Sequence, residues 1–262
     1  MISTKIRAEW IALGLLAFLF LLVSSCGPKD IDRIGEAQSC LNKASADEVD
    51  GCLEKIETVN SVGADTIRCA GYFQREGILS ASTVVTAFAS LSEQGASNTD
   101  RFAGFMSLLT FTKSAPNWTL SESRALATFD MCFQSQGKAT TFIAAFSVVS
   151  AAIISYGYQS GETINFGSPS QIETSVTGSL TKLALDLLEP PVPGAVAGVT
   201  SLAVTALTNI GTVILKSYQV SCTVQNPIDS TTCTQFSQAI SNAGSGATPQ
   251  KIAEEFLKIL AS

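Results

Sequence analysis

Apolar residues recur at helical spacing along most of the chain. Ile34, Ala37, Leu41 and Ala44 form one stripe, and Val49, Leu53, Ile56 and Val59 a second. Both follow the three-to-four-residue interval that lines one face of a helix. Between them, Ser45-Ala46-Asp47-Glu48 fits a capping box with Ser45 as N-cap. Residues 31–60 are therefore predicted as a helical hairpin that turns near residue 46. Further helices are predicted over 65–75, ended by Gly77 as a left-handed cap, over 82–94 and over 100–111. Pro116 interrupts the pattern. A second capping box, Thr119-Leu120-Ser121-Glu122, then opens a helix that closes near Gly137.

The second half of the chain is less polar. No charge occurs over 139–157 or over 192–215. Between these stretches, Ser168-Pro169-Ser170-Gln171 opens an amphipathic helix with Ile172, Val176, Leu180, Leu183 and Leu187 on one stripe, ended by Pro190-Pro191-Val192-Pro193-Gly194. Helices are also predicted over 230–242 and, after the Gly244-Ser245-Gly246 joint, from Thr248-Pro249 onward with Ile252, Phe256, Ile259 and Leu260 inward. No run of alternating β-branched residues bounded by hairpin turns occurs. The predicted fold is all-α: a multi-helix bundle of about ten helices with two central apolar helices. It forms a single domain over 31–262, with 31–62 as an N-terminal hairpin subdomain.

The two uncharged stretches admit two readings, because a helix apolar all round is either a bundle centre or a membrane span. Both approach the length of about 20 residues that a span needs. The second holds a small-residue GxxxG pattern at Gly194 and Gly198. Hydroxyls favour the core reading: Thr140, Thr141, Ser147, Ser150 and Ser155 in the first, Thr200, Ser201, Thr205, Thr208 and Thr212 in the second, with Asn209 mid-stretch.

The N-terminus follows a different logic. Lys5 and Arg7 precede an uncharged run over 10–25, the layout of a secretory signal. Val23-Ser24-Ser25-Cys26 closes it. This resembles the lipobox of bacterial lipoproteins, with an aliphatic residue three before the cysteine and small residues between. The resemblance covers only the signal and its cleavage point. It implies that residues 1–25 are removed, that Cys26 carries a diacylglycerol thioether and an acylated amino group, and that 26–30 is a lipidated tether. More than one acyl chain gives stable attachment, at about 0.8 kcal/mol per buried methylene. In that family an Asp after the cysteine favours the inner membrane, so Gly27 points to the outer membrane.

Composition narrows the chemistry. The chain carries −6, and Lys5, Arg7 and Glu9 contribute +1, so the part after residue 25 carries −7. An acidic chain with no basic block is a poor nucleic-acid binder. There is no histidine, which removes serine–histidine and cysteine–histidine catalysis and histidine-containing zinc sites. No catalytic residue, cofactor site or metal site is predicted. Six cysteines follow Cys26, an even number that suggests disulfides in an exported chain. Cys40 and Cys52 each lie six residues from the predicted turn and face one another in an antiparallel pair. Cys222 and Cys233 bracket a loop containing Asn226-Pro227. Cys69 and Cys132 remain as the third pair.

Two smaller features complete the inventory. Asn117-Trp118-Thr119 fits a glycosylation sequon, which carries little weight in a bacterial chain, and Trp118 is expected to pack in the core. Phe73-Gln74-Arg75-Glu76-Gly77 echoes Phe133-Gln134-Ser135-Gln136-Gly137 through three identities, no more than chance supplies. The expected function is non-enzymatic: an envelope lipoprotein held at the membrane through Cys26 and acting on a protein partner. The alternative expectation is a membrane-active protein that inserts 139–157 and 192–215 as a hairpin.

Overall fold

The computed structural model describes residues 28–78, 81–91, 97–113, 115–166, 168–188, 197–223 and 230–260. Among these there are eleven α-helices and no strand. They are α1 (Pro28–Leu41), α2 (Val49–Leu53), α3 (Val62–Arg75), α4 (Ala81–Leu91), α5 (Asn98–Leu109), α6 (Trp118–Gln134), α7 (Lys138–Gln159), α8 (Pro169–Leu188), α9 (Ala197–Ser217), α10 (Ser230–Ala243) and α11 (Pro249–Leu260). A 3-10 turn, Glu54–Ile56, extends α2, and a π turn, Tyr218–Cys222, extends α9. The signal, Cys26, the prolines before α9 and Gly194 of the GxxxG pattern lie outside the described residues.

Several boundaries differ from the expected ones. Helix α1 begins at Pro28, so 28–30 is its first turn rather than tether. Proline is pre-organised for the first helical position, and Asp30 complements the positive end of the helix. Ser45-Ala46-Asp47-Glu48 forms a turn rather than a helix start. The Ser45 N–H and Oγ–H both donate to Glu48 Oε2 at 2.8 Å, which uses up the cap, and helix begins only at Val49. The second expected cap is displaced too. Asn117, not Thr119, opens α6, its Oδ1 accepting from the Leu120 N–H at 3.1 Å. Ser61 and Ser97 cap α3 and α5 in the same way. Gly77 takes φ +77°, and the Ile78 N–H returns to the Phe73 carbonyl at 3.1 Å. This is the left-handed helix stop expected there. In the echoed segment Gln136, not Gly137, takes the positive φ, so the two FQxxG segments are not structural repeats.

Buried apolar residues form two clusters. The small one joins Ala37 and Leu41 of α1, Val49, Cys52 and Leu53 of α2, Ile56, Val59, and Ala64 of α3. This cluster is the satellite. It uses the first turns of α3 as its third wall, so it is larger than the hairpin alone. The remaining described helices form the bundle around the large cluster.

Helix α7 is the axis of the bundle. Every residue over 141–157 is buried, and α5, α6, α8 and α9 all pack against it. Phe142 and Phe146 of α7 meet Phe88, Phe102, Phe105 and Phe236 at ring separations of 4.9–6.3 Å. Phe256 of α11 closes the set against Phe102 and Phe236. Such offset and edge contacts add about 0.5–1.5 kcal/mol per pair beyond area burial.

Helix α9 is different. It begins at Ala197, and although Ile210, Val213 and Ile214 are buried, Val204 and Thr205 are exposed. Asn209 Nδ2 donates to Glu122 Oε1 at 2.7 Å, and Gln250 Nε2 to Thr208 Oγ1 at 2.8 Å. One face of α9 therefore has polar partners, and among the described residues only α7 is enclosed on all sides. Two glycines allow helices to touch backbone to backbone. A Cβ on Gly211 would lie 1.7 Å from the Pro249 carbonyl oxygen, and one on Gly157 would lie 2.0 Å from Ser179 Oγ.

Candidate functional site

The six cysteines predicted to pair form three disulfides. Cys40–Cys52 ties α1 to α2 within the satellite, with Cα atoms 5.5 Å apart. Cys69–Cys132 ties α3 to α6 at 4.8 Å, and Cys222–Cys233 ties the π turn to α10 at 5.4 Å. Cys69 and Cys132 are buried, so that bond lies inside the bundle. Cys26 lies outside the described residues.

The satellite and the bundle meet along α3, and α3 supplies the polar side chains that hold them together. Arg68 donates to Asp65 Oδ1 at 2.7 Å and to the carbonyls of Ile56, Glu57 and Val59 at 2.5, 3.2 and 2.8 Å. These carbonyls belong to the turn after α2, where no helix continues to supply them with N–H donors. A guanidinium with five donors in a fixed fork suits this task. Gln74 does the same for the end of α1, its Nε2 donating to the carbonyls of Leu41 and Ala44, each at 2.9 Å. Sequence reading missed both roles. The signal, polar residues within an otherwise apolar helix face, was present, but their partners are backbone groups of a distant turn.

Next to Arg68 lies a chain of charges. Arg75 pairs with Asp50 of α2 at 3.1 Å and lies 4.7 Å from the centre of the Tyr72 ring. It also approaches Glu76, whose Oε1 is 3.4 Å from Arg75 Nε and 3.3 Å from Arg124 of α6. The Glu76 carboxylate is fully buried, and its Oε2 has no hydrogen-bond partner among the described residues. The sequence Asp50–Arg75–Glu76–Arg124 thus connects α2, α3 and α6.

Asp50, Arg68 and Arg75 line an open cleft of about 740 Å³ between the satellite and α6. Arg68 and Arg75 form its floor with Tyr72, Asp50, Glu54 and Glu57 its exposed acidic rim, and Met131 and Gln134 its far wall. The arginines are occupied by internal acceptors, whereas Glu54 and Glu57 face solvent. The cleft therefore presents carboxylates outward. Chemically it can accept hydrogen bonds and attract cations. Its serine hydroxyl, Ser61, is engaged as the cap of α3, accepting from the Ala64 N–H at 3.2 Å. Among the described residues, no three or more histidine, cysteine or acidic side chains converge as metal ligands would.

Elsewhere on the satellite, Lys113, just beyond α5, bonds Asp47 of the 45–48 turn. This contact holds the Asp47 carboxyl below the usual carboxylate range. The Ser45 backbone N–H, with the Ser45 hydroxyl, does the same for Glu48.

Trp118 is buried, as expected, and meets Phe166 edge-on at 5.7 Å. Among the described residues, α7 is the one helix long and apolar enough to cross a membrane. Its hydroxyls are engaged inside the bundle: Thr141 donates to the Cys132 carbonyl, Ser147 to the Ile143 carbonyl, and Ser150 bonds Thr110.

Known protein families, curated proteins and solved structures contain no match to this chain.

Proposed function

We propose that this chain is an exported lipoprotein of the cell envelope, anchored through acyl chains on Cys26, that acts by binding a protein partner and performs no chemistry of its own. The observation that carries the reading is Val23-Ser24-Ser25-Cys26 at the end of an uncharged run. Paired cysteines throughout the chain fit an oxidising compartment. The absence of histidine fits a binding role. The acidic rim at Asp50, Glu54 and Glu57 is the favoured contact face, because its carboxylates are exposed above arginines that are already paired with internal carboxylates. A partner presenting lysine or arginine there would gain charge complementarity, which favours fast and selective association.

A second reading is favoured by one feature: α7 has the length and hydropathy of a membrane span. In that reading the helix leaves the bundle and inserts. Both readings are separated by alkaline carbonate extraction of a Cys26→Ser variant exported behind a cleavable signal. The lipoprotein reading expects this variant in the soluble fraction and the wild type in the membrane. Retention of the variant in the bilayer would favour insertion of α7. Crosslinking of the wild-type protein in native membranes, repeated with Glu54→Lys and Glu57→Lys together, tests the partner face. A captured partner whose yield is unchanged by the charge reversal would place the contact elsewhere.

A further inference from the structure

We propose that the end of the satellite where the chain enters α1 is a membrane-seating face, with Ile31 and Val62 entering the bilayer interface. The proposal rests on acylation of Cys26 and adds an orientation to it. Most apolar side chains of the satellite turn inward, but Ile31 is 61% exposed and Val62 57% exposed. They flank one contact. Ile31 lies one turn before Ile34 on the same face of α1. Ile34 Cδ1 lies 3.5 Å from the position a Cβ would take on Gly63, and Val62 is the residue before that glycine. Two exposed aliphatic side chains therefore stand at the start of α1 and the start of α3.

The covalent chain determines what covers them. Cys26 is two residues before Pro28, the first residue of α1. Two extended residues span at most about 7 Å. The rise from Pro28 to Ile31 adds about 4.5 Å. Acyl chains buried in the hydrocarbon thus hold the Ile31 backbone within about 12 Å of the Cys26 backbone. That upper limit is about twice the depth of one headgroup layer, since the headgroup and interfacial regions add about 5–8 Å on each side of the hydrocarbon, so the start of α1 stays at or just above the interface. The other exposed aliphatics, Val85, Leu120, Leu185 and Val204, sit on bundle helices far along the chain from this point. The charges around the face are mainly acidic: Asp30, Asp32, Glu36 and Asp65 outnumber Lys29 and Arg33. This excess suits a zwitterionic surface better than an anionic one.

Tryptophan fluorescence tests the seat. The lipidated protein, purified from membranes, is reconstituted with Ile31→Trp, Val62→Trp or Val85→Trp into phosphatidylcholine vesicles with or without bromine on the acyl chains. Native Trp118, buried in the bundle, is the internal reference. Trp is at home in the interface, so the added emission at 31 and 62 is expected to fall by about half in brominated vesicles. The emission at 85 and 118 is expected to hold. All three positions are exposed, and circular dichroism confirms that each variant folds. Flotation and intact mass are recorded on the same samples. An acylated, floating protein quenched at neither 31 nor 62, or quenched equally at 85, overturns the seat and leaves the anchor standing. A protein that neither floats nor carries acyl mass overturns the anchor itself, and the seat with it.

Discussion

In the bundle, α7 is surrounded by rings and aliphatic side chains from the helices around it and exposes nothing over 141–157. In the satellite, eight buried residues make a core too small to dominate, and Arg68, Gln74, Arg75 and Lys113 hold the pieces to their neighbours through carbonyls and carboxylates. One region coheres by excluding water, the other largely by satisfying polar groups at helix ends. Apolar burial is insensitive to pH and is lost cooperatively, whereas polar clips fail locally. The satellite is thus the part able to loosen while the bundle stays folded, and it is also the part the chain places nearest to Cys26.

The largest expected effect lies in the core around α7. Phe146→Ala removes a ring that contacts Phe102, Phe105, Phe142 and Phe236. It should cost about 4 kcal/mol of global stability in urea titration. Gly211→Ala, which drives a methyl into the Pro249 carbonyl, should cost about 3 kcal/mol in the same assay. If either left the urea midpoint unchanged, the α7-centred bundle would be wrong.

A smaller and more local effect is expected at Arg68. Arg68→Ala removes the side-chain donor from three carbonyls and one carboxylate. This should cost about 2 kcal/mol, read as faster hydrogen exchange over 49–60 with bundle amides unaffected. Equal acceleration in both regions would mean that satellite and bundle unfold as one unit.

The smallest effect is that of pH. Asp47 and Glu48 both have carboxyls held below their ordinary values, by Lys113 and by Ser45 respectively. A depressed folded-state pKa stabilises above the unfolded value, near pH 4, and that contribution is lost as pH falls through the folded one. Exchange at the 45–52 amides, corrected for its intrinsic pH dependence, should therefore rise only below about pH 4. Glu255 of α11 is lowered in the same way by Lys258. There Ile252, Phe256 and Leu260 keep the helix buried regardless of charge. An onset near neutral pH would contradict the assignment.

Much of this was legible in the sequence because it depends on local spacing. The stripes of α1, α8 and α11, the stop at Gly77 and the cysteines placed symmetrically about a turn are all short-range patterns. The misread caps show where spacing fails. Asn117 and Thr119 both offer a capping oxygen, and Ser45 has a carboxylate within reach that captures its donors. What depends on crossing partners was not legible. Hydropathy does not tell how many neighbours a helix has, so α7 and α9 read alike although only α7 is enclosed. The close approaches at Gly157 and Gly211 exist only once a second helix lies across them. The cleft was equally hidden, because its arginines are bound by backbone groups far away in the chain.

Intact mass spectrometry of the protein extracted from native membranes tests the central proposal most directly. The expected species begins at Cys26 and carries a thioether-linked diacylglycerol with a fatty amide on the new amino group. A chain that retains Met1, or a Cys26 sulfur without acyl mass, would contradict it.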